Sequence, residues 1–145
     1  MTAVSNIRIT LTCGDSVTPD EFLDRGLDTS NAVRVSWECL GYTYMRELKL
    51  GGYAIAIGNE HIGTIEHDDD GDIAYCLDSY GACRIKQPSD IQIPKNRRFL
   101  PLYIRTRMYK ERYSVSFIGY RGSEGLQMIY DLSNYELLAI ENIIV

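Results

Sequence analysis

Apolar residues in this chain recur at every second position, in short stretches that end at glycine-bearing turns. A period of two places alternate side chains on opposite faces of an extended backbone, so each stretch reads as a half-buried β-strand. Ile7, Ile9 and Leu11 alternate with Arg8, Thr10 and Thr12, and Val33, Val35 and Trp37 with Arg34, Ser36 and Glu38. A run of hairpins follows. Tyr53 to Ile57 meets Gly58-Asn59-Glu60, Ile62 to His67 meets Asp68-Asp69-Asp70-Gly71, and Ile73 to Leu77 meets Ser79-Tyr80-Gly81 before Cys83 to Lys86. A second meander runs Leu102 to Tyr109, Tyr113 to Tyr120 and Leu126 to Leu132, with turns near Lys110-Glu111 and at Gly122-Ser123-Glu124-Gly125. Strands and turns at this spacing predict roughly eight to ten short antiparallel strands. The expected fold class is all-β, or mainly β with one short N-terminal helix: an antiparallel sandwich or a partly open barrel built from hairpin meanders.

The helix signal is Thr18-Pro19-Asp20-Glu21, which supplies an N-cap hydroxyl, Pro at the first helical position and Glu at the capping-box position. Ser133 with Glu136 matches the same box, but the tail Ile143-Ile144-Val145 prefers a strand, so Ser133 to Asn142 has two readings. Gln87 to Pro101, with Pro88, Pro94, Pro101 and the run Lys95-Asn96-Arg97-Arg98, reads as a connection between the two meanders. The 145 residues fit a single β-rich domain, 1–145. No apolar run approaches the roughly 18 residues of a membrane span, and Met1 to Cys13 lacks the pattern of a signal peptide. The expectation is a cytoplasmic protein with no membrane partner. Cys13, Cys39, Cys76 and Cys83 form no C-x-x-C pair, and only two His accompany them, which argues against a zinc site. A Cys76–Cys83 bridge across the turn is conceivable, but reduced, buried thiols are expected. No cofactor is expected.

The net charge of −5 is unevenly spread. Residues 95–121 hold eight basic and one acidic side chain, while the segments on either side are acidic. A positive segment in an acidic chain steers an anionic partner, or pairs with acids of its own chain.

Three groups of residues invite a chemical reading. Gly14-Asp15-Ser16 follows an apolar strand and precedes a helix, and resembles the turn that carries the nucleophile of GDSL (SGNH) hydrolases. That resemblance implies a serine nucleophile with a C-terminal Asp and His. No His occurs after His67, so Ser16 lacks its base, and an ordinary turn is the expected reading. His61, His67 and Asp70 could hold a metal ion, but residues 61 and 67 lie roughly 20 Å apart on a regular strand. The expected reading is an exposed Asp-Gly turn beside two surface histidines.

The third group carries the most weight. One face of the strand through Tyr109 presents Leu102, Ile104, Thr106 and Met108; the other presents Tyr103, Arg105, Arg107 and Tyr109. Arg112 and Tyr113 follow the turn, and Arg97 and Arg98 lie upstream. Guanidinium and phenol groups alternating on one face suit a protein interface, a nucleic-acid backbone with stacked bases, or a structural layer of snorkelling side chains. Eleven Tyr against three Phe and one Trp favour an aromatic surface with polar tips. The sequence therefore points to a non-enzymatic binding or assembly protein acting through protein–protein contacts. It would be an inhibitor or immunity-type protein, or a subunit of a larger viral-type assembly, with a homo-oligomer possible. The alternative is a single-stranded nucleic-acid or nucleotide-binding module using the 103–113 face.

Overall fold

The computed structural model describes residues 3–88 and 98–143, which form three antiparallel four-stranded sheets. β1 (Ser5–Leu11), β2 (Ser16–Val17), β3 (Ala32–Cys39) and β4 (Tyr42–Glu47) make the first, in the order β2-β1-β3-β4. Between β2 and β3 lie the helix α1 (Pro19–Asp24) and a 3-10 turn at Thr29–Asn31. The second sheet is the meander β5 (Gly52–Ile57), β6 (His61–Asp68), β7 (Gly71–Asp78) and β8 (Cys83–Lys86). The third is the meander β9 (Phe99–Tyr109), β10 (Arg112–Arg121), β11 (Glu124–Asp131) and β12 (Leu137–Ile143). The sheets do not close into a barrel, so the sandwich expectation holds. No described helix is long and apolar enough to cross a membrane.

The second sheet is the middle layer of the sandwich. One of its faces sends Ala54, Ile62 and Leu77 into a core with Ile9, Val35 and Trp37 of the first sheet. The other sends Ile57, Ile65, Cys76 and Ile85 into a core with Ile104, Phe117 and Met128 of the third. A sheet covered on both faces reads as continuous apolar sequence, because neither face has to be polar. His61 to Ile65 is buried at every position for this reason.

Polar contacts between layers set their positions. The Trp37 indole N–H donates to the Ser79 carbonyl at 2.8 Å, tying the first sheet to the β7–β8 turn. Arg46 of β4 pairs with Glu66 of β6 at 2.6 Å and lies 4.8 Å from the centre of the Tyr75 ring.

α1 forms as its signal predicts. The Thr18 hydroxyl accepts from the Glu21 N–H, and the Glu21 carboxylate accepts from the Thr18 N–H, both at 3.1 Å. The second capping box forms no helix. The Asp131 carboxylate accepts from the Ser133 N–H and the Asn134 side-chain Oδ1 accepts from the Glu136 N–H, which makes a turn and releases the chain into β12. The twelve described strands exceed the expected number through β2, β4 and β12. The expected connection over 87–101 also ends earlier, because Phe99, Leu100 and Pro101 belong to β9. Pro101 fits there because β9 closes one edge of its sheet, where a missing N–H costs little.

None of the four cysteines is in a disulfide. Cys76 faces Ile85 across β7–β8 and points into the core, where burial pushes its thiol up to about 12. Cys39 is also buried, but Cys13 and Cys83 are exposed, so the expectation of buried thiols holds for two of the four.

Candidate functional site

The outer face of the third sheet carries most of the predicted Tyr/Arg group. Strand register sets its rows. Tyr103 lies beside Ile118 and Gln127, with Glu141 beyond; Arg105 lies beside Ser116 and Ile129; Arg107 lies beside Ser114 and Asp131; and Tyr109 lies beside Arg112. The alternation read from the sequence therefore places Tyr103, Arg105, Arg107, Tyr109 and Arg112 on one face.

Much of that face is already engaged within the molecule. Arg107 Nη1 donates to Gln127 Oε1 at 3.0 Å, and Gln127 Nε2 donates to Glu141 Oε1 at 3.0 Å. The Tyr109 hydroxyl donates to Glu141 Oε2 at 3.4 Å, and Arg107 lies over the Tyr109 ring at 5.6 Å. Tyr109 and Glu141 sit on opposite edge strands and in different rows. Their contact requires the sheet to coil until its outer face is concave, as the right-handed twist of strands allows. Ser114, Ser116, Ile118 and Ile129 lie at the bottom of that concavity, fully buried. Arg112 Nη1 donates to Asp131 Oδ2 at 2.9 Å. Hydrogen bonds from the Ser133 hydroxyl and N–H, with the Arg112 guanidinium, hold the Asp131 carboxyl below the usual carboxylate range.

Tyr103, Arg105 and Arg112 are the exposed members of this face, and of these Arg112 is paired with Asp131. Tyr103 keeps 44 % of its surface and neighbouring Leu102 keeps 51 %. The alternation puts Leu102 on the same face as Ile104. A bulge opposite Ile118 and Gly119 displaces it, and only Ile104 enters the core. Met108 also escapes the core, at the far end of β9.

The remaining predicted residues go elsewhere. Tyr113 points to the opposite face, against Gly58 of the β5–β6 turn. Arg98 lies at the β6–β7 turn, 3.9 Å from Asp68. Arg97 lies outside the described residues. The basic segment thus pairs mainly with its own sheet, through Gln127, Asp131 and Glu124, and reaches the acidic first half through Arg98.

Beside β9 runs a groove of about 540 Å³. Its walls are Phe22, Leu23 and Leu27 around α1 and Pro101 to Ile104 of β9, and its floor is Ile55, Gly63 and Ile65. Thr29, His67 and Asp72 also line it. His67 Nδ1 lies 2.6 Å from Asp72 Oδ1, and His67 Nε2 lies 2.6 Å from Thr29 Oγ1. The sequence contained a signal for the first contact. A two-residue turn at Asp69-Asp70 places His67 directly opposite Asp72. Thr29 carried no comparable signal.

The candidate metal group of His61, His67 and Asp70 is not brought together: no cluster of three His, Cys, Asp or Glu forms among the described residues. His61 is no surface residue either. It is 5 % exposed, its Nε2 lies 3.0 Å from the Tyr135 hydroxyl, and burial lowers its affinity for a proton. Ser16 Oγ accepts from Arg8 Nε at 3.0 Å, while both imidazoles are engaged elsewhere. Gly14-Asp15-Ser16 is a turn leading into β2.

No protein-family model and no curated protein matches the chain. Among solved structures, one chain in the structure of Tne2 in complex with Tni2 superposes with a TM-score of 0.69 at 14% sequence identity, covering 97% of this chain and 99% of that one. At this identity the likeness is one of fold.

Proposed function

We propose that the protein acts by binding another protein, as an inhibitor or immunity-type partner, through the exposed edge of β9. The observation that carries this reading is the edge itself. β9 is eleven residues long, ends its sheet among the described residues, and displays Leu102, Tyr103 and Arg105 beside an apolar groove. Free strand edges are templates for an added strand, and natural proteins ordinarily blunt them. Tyr and Arg are the side chains most enriched where binding energy concentrates. The hydrogen-bonded Arg107–Gln127–Glu141 network stiffens the sheet behind this edge, so little ordering remains to be done on binding. The structural neighbour comes from a two-protein complex, which supports the same reading.

Charge favours a protein over a nucleic acid. Asp131 and Glu141 stand among Arg105, Arg107 and Arg112 and offset most of their charge. A nucleic-acid face needs a surplus of cations to release counterions from phosphate.

The test is native mass spectrometry of the tagged chain purified from its own host. The expected result is one copy with one different protein. The variant Leu102→Asp/Tyr103→Ala/Arg105→Ala should weaken that pair by about 30-fold or more, from a hot-spot loss of about 2 kcal/mol. Its melting temperature should stay close to that of the unaltered chain. Masses that are only multiples of this chain would replace the reading with an assembly subunit. A bound oligonucleotide would replace it with a nucleic-acid module.

A further inference from the structure

The groove between α1 and β9 contains a chain of hydrogen bonds that partner binding does not use. Asp72 Oδ1, His67 Nδ1, His67 Nε2 and Thr29 Oγ1 follow one another through two contacts of 2.6 Å each. A carboxylate only accepts, so the proton between Asp72 and His67 belongs to Nδ1. In the neutral ring Nε2 then carries a lone pair, and the Thr29 hydroxyl donates to it. This is the tautomer in which an imidazole takes a proton from a nucleophilic hydroxyl.

The backbone holds the three residues in place. His67 and Asp72 are a cross-strand pair of β6 and β7. Asp28 caps the 3-10 turn that bears Thr29, its carboxylate accepting from the Ser30 N–H at 2.9 Å. Gly51 makes the close approach possible. It has a φ of +99°, and a Cβ there would lie 2.5 Å from the Thr29 carbonyl oxygen and 3.1 Å from His67 Cδ2. All three functional side chains line the groove, next to Phe22, Leu27, Ile55 and Ile65.

We infer that Thr29 is an activated nucleophile that takes an acyl group from small neutral esters with an apolar acyl chain. This goes beyond the partner-binding reading and is independent of it. The lining selects the class. Its apolar side chains suit an acyl chain, while Asp72 and the absence of Lys or Arg among the described lining residues disfavour a phosphate or carboxylate. In the step, Oγ1 forms a bond to the ester carbonyl carbon as its proton passes to His67 Nε2. The bond from that carbon to the leaving oxygen then breaks, and the leaving oxygen takes the proton from Nε2. Water later attacks the acyl-threonine in the same way, releasing the carboxylic acid and restoring the hydroxyl. Asp72 acts as a positioning residue.

The test incubates the full chain with p-nitrophenyl butyrate and maps adducts by intact-protein and peptide mass spectrometry. One butyryl group on Thr29 is expected, retained in Thr29→Ser and lost in Thr29→Val. His67→Gln should slow adduct formation by about 100-fold or more. Nitrogen NMR should show His67 protonated at Nδ1 in the unaltered chain and at Nε2 in Asp72→Asn, with the adduct slowed to match. A purely structural clasp would give the first NMR result without any adduct. No butyryl group on Thr29 in the unaltered chain, or an adduct there whose rate His67→Gln leaves unchanged, overturns the proposal.

Discussion

His61 shows how one buried side chain ties stability to pH. Its ring meets Tyr135 edge-on, with centroids 5.7 Å apart, and its Nε2 shares a hydrogen bond with the Tyr135 hydroxyl. Tyr135 reaches that position with a φ of 64°, a strained conformation for a bulky residue that the ring contacts hold in place. Burial lowers the pKa of His61 from its ordinary 6.5 and Arg84 lowers it further; the carboxylates of Glu60 and Asp78 only partly compensate. The folded chain therefore takes up this proton at lower pH than the unfolded chain does. Stability contributed by neutral His61 is present above pH 6.5 and is lost as pH falls through the depressed folded value. The carboxylates act in a separate, more acidic window. Burial pushes Asp78 up, but Arg84 and the N–H groups of Ala82 and Tyr80 more than offset it, leaving it below its ordinary 3.8. Thermal melts from pH 8 to 3 should show a first loss beginning near 6.5 and a second below about 4. His61→Gln should remove the first step and leave the second. A first step that survives in that variant would place its origin elsewhere.

At the scale of elements, β9 joins the core to the candidate site, and Gly119 sets its course. The bulge between β9 and β10 brings Pro101 opposite Gly119. A Cβ at Gly119 would collide with the Leu100 carbonyl oxygen and come within 2.9 Å of Pro101 Cα. Gly119→Ala should cost about 1–3 kcal/mol by overpacking, with a lower melting temperature and faster amide exchange along Leu100 to Tyr103. Exchange accelerating equally over all the strands would show that the bulge has no local role. The alternation of β9 was legible in the sequence, because period two assigns faces without knowledge of neighbours. The bulge was not legible, because Gly119 lies on another strand and its crowding arises only on pairing. The same limit hid the network over the outer face, since Gln127 and Glu141 meet Arg107 and Tyr109 only after the sheet coils. β12 was ambiguous for a different reason. Its capping-box residues are real hydrogen-bonding groups, but Asp131 and Asn134 engage the backbone first. β4 was missed because its edge position leaves every residue at least partly exposed: Tyr44 and Arg46 take the half-buried positions while Met45 is exposed, so the apolar residues do not follow the strand's alternation.

For the whole molecule, the central fact is that one sheet serves two cores. Residues of the second sheet face Trp37 and its neighbours on one side and Phe117 and its neighbours on the other. Neither outer sheet can bury its apolar face without that middle layer. The layers should consequently unfold together, in one transition, as the length of the chain also suggests. Trp37 is the only tryptophan and lies wholly within the core between the first and second sheets. Its fluorescence reports that core alone, whereas circular dichroism reports all the strands. The two denaturation curves should coincide. Phe117→Ala supplies the stricter test, because Phe117 belongs to the other core. Loss of a buried Phe costs about 3–5 kcal/mol through lost transfer energy and the cavity left behind. If the second sheet transmits that loss, the Trp37 midpoint falls by the same amount as the dichroism midpoint, although no atom near Trp37 has changed. A Trp37 midpoint that stays in place while the dichroism splits into two steps would show that the first two sheets stand without the third. The β9 edge would then open independently of the rest, and a partner bound there would stabilise only the third sheet.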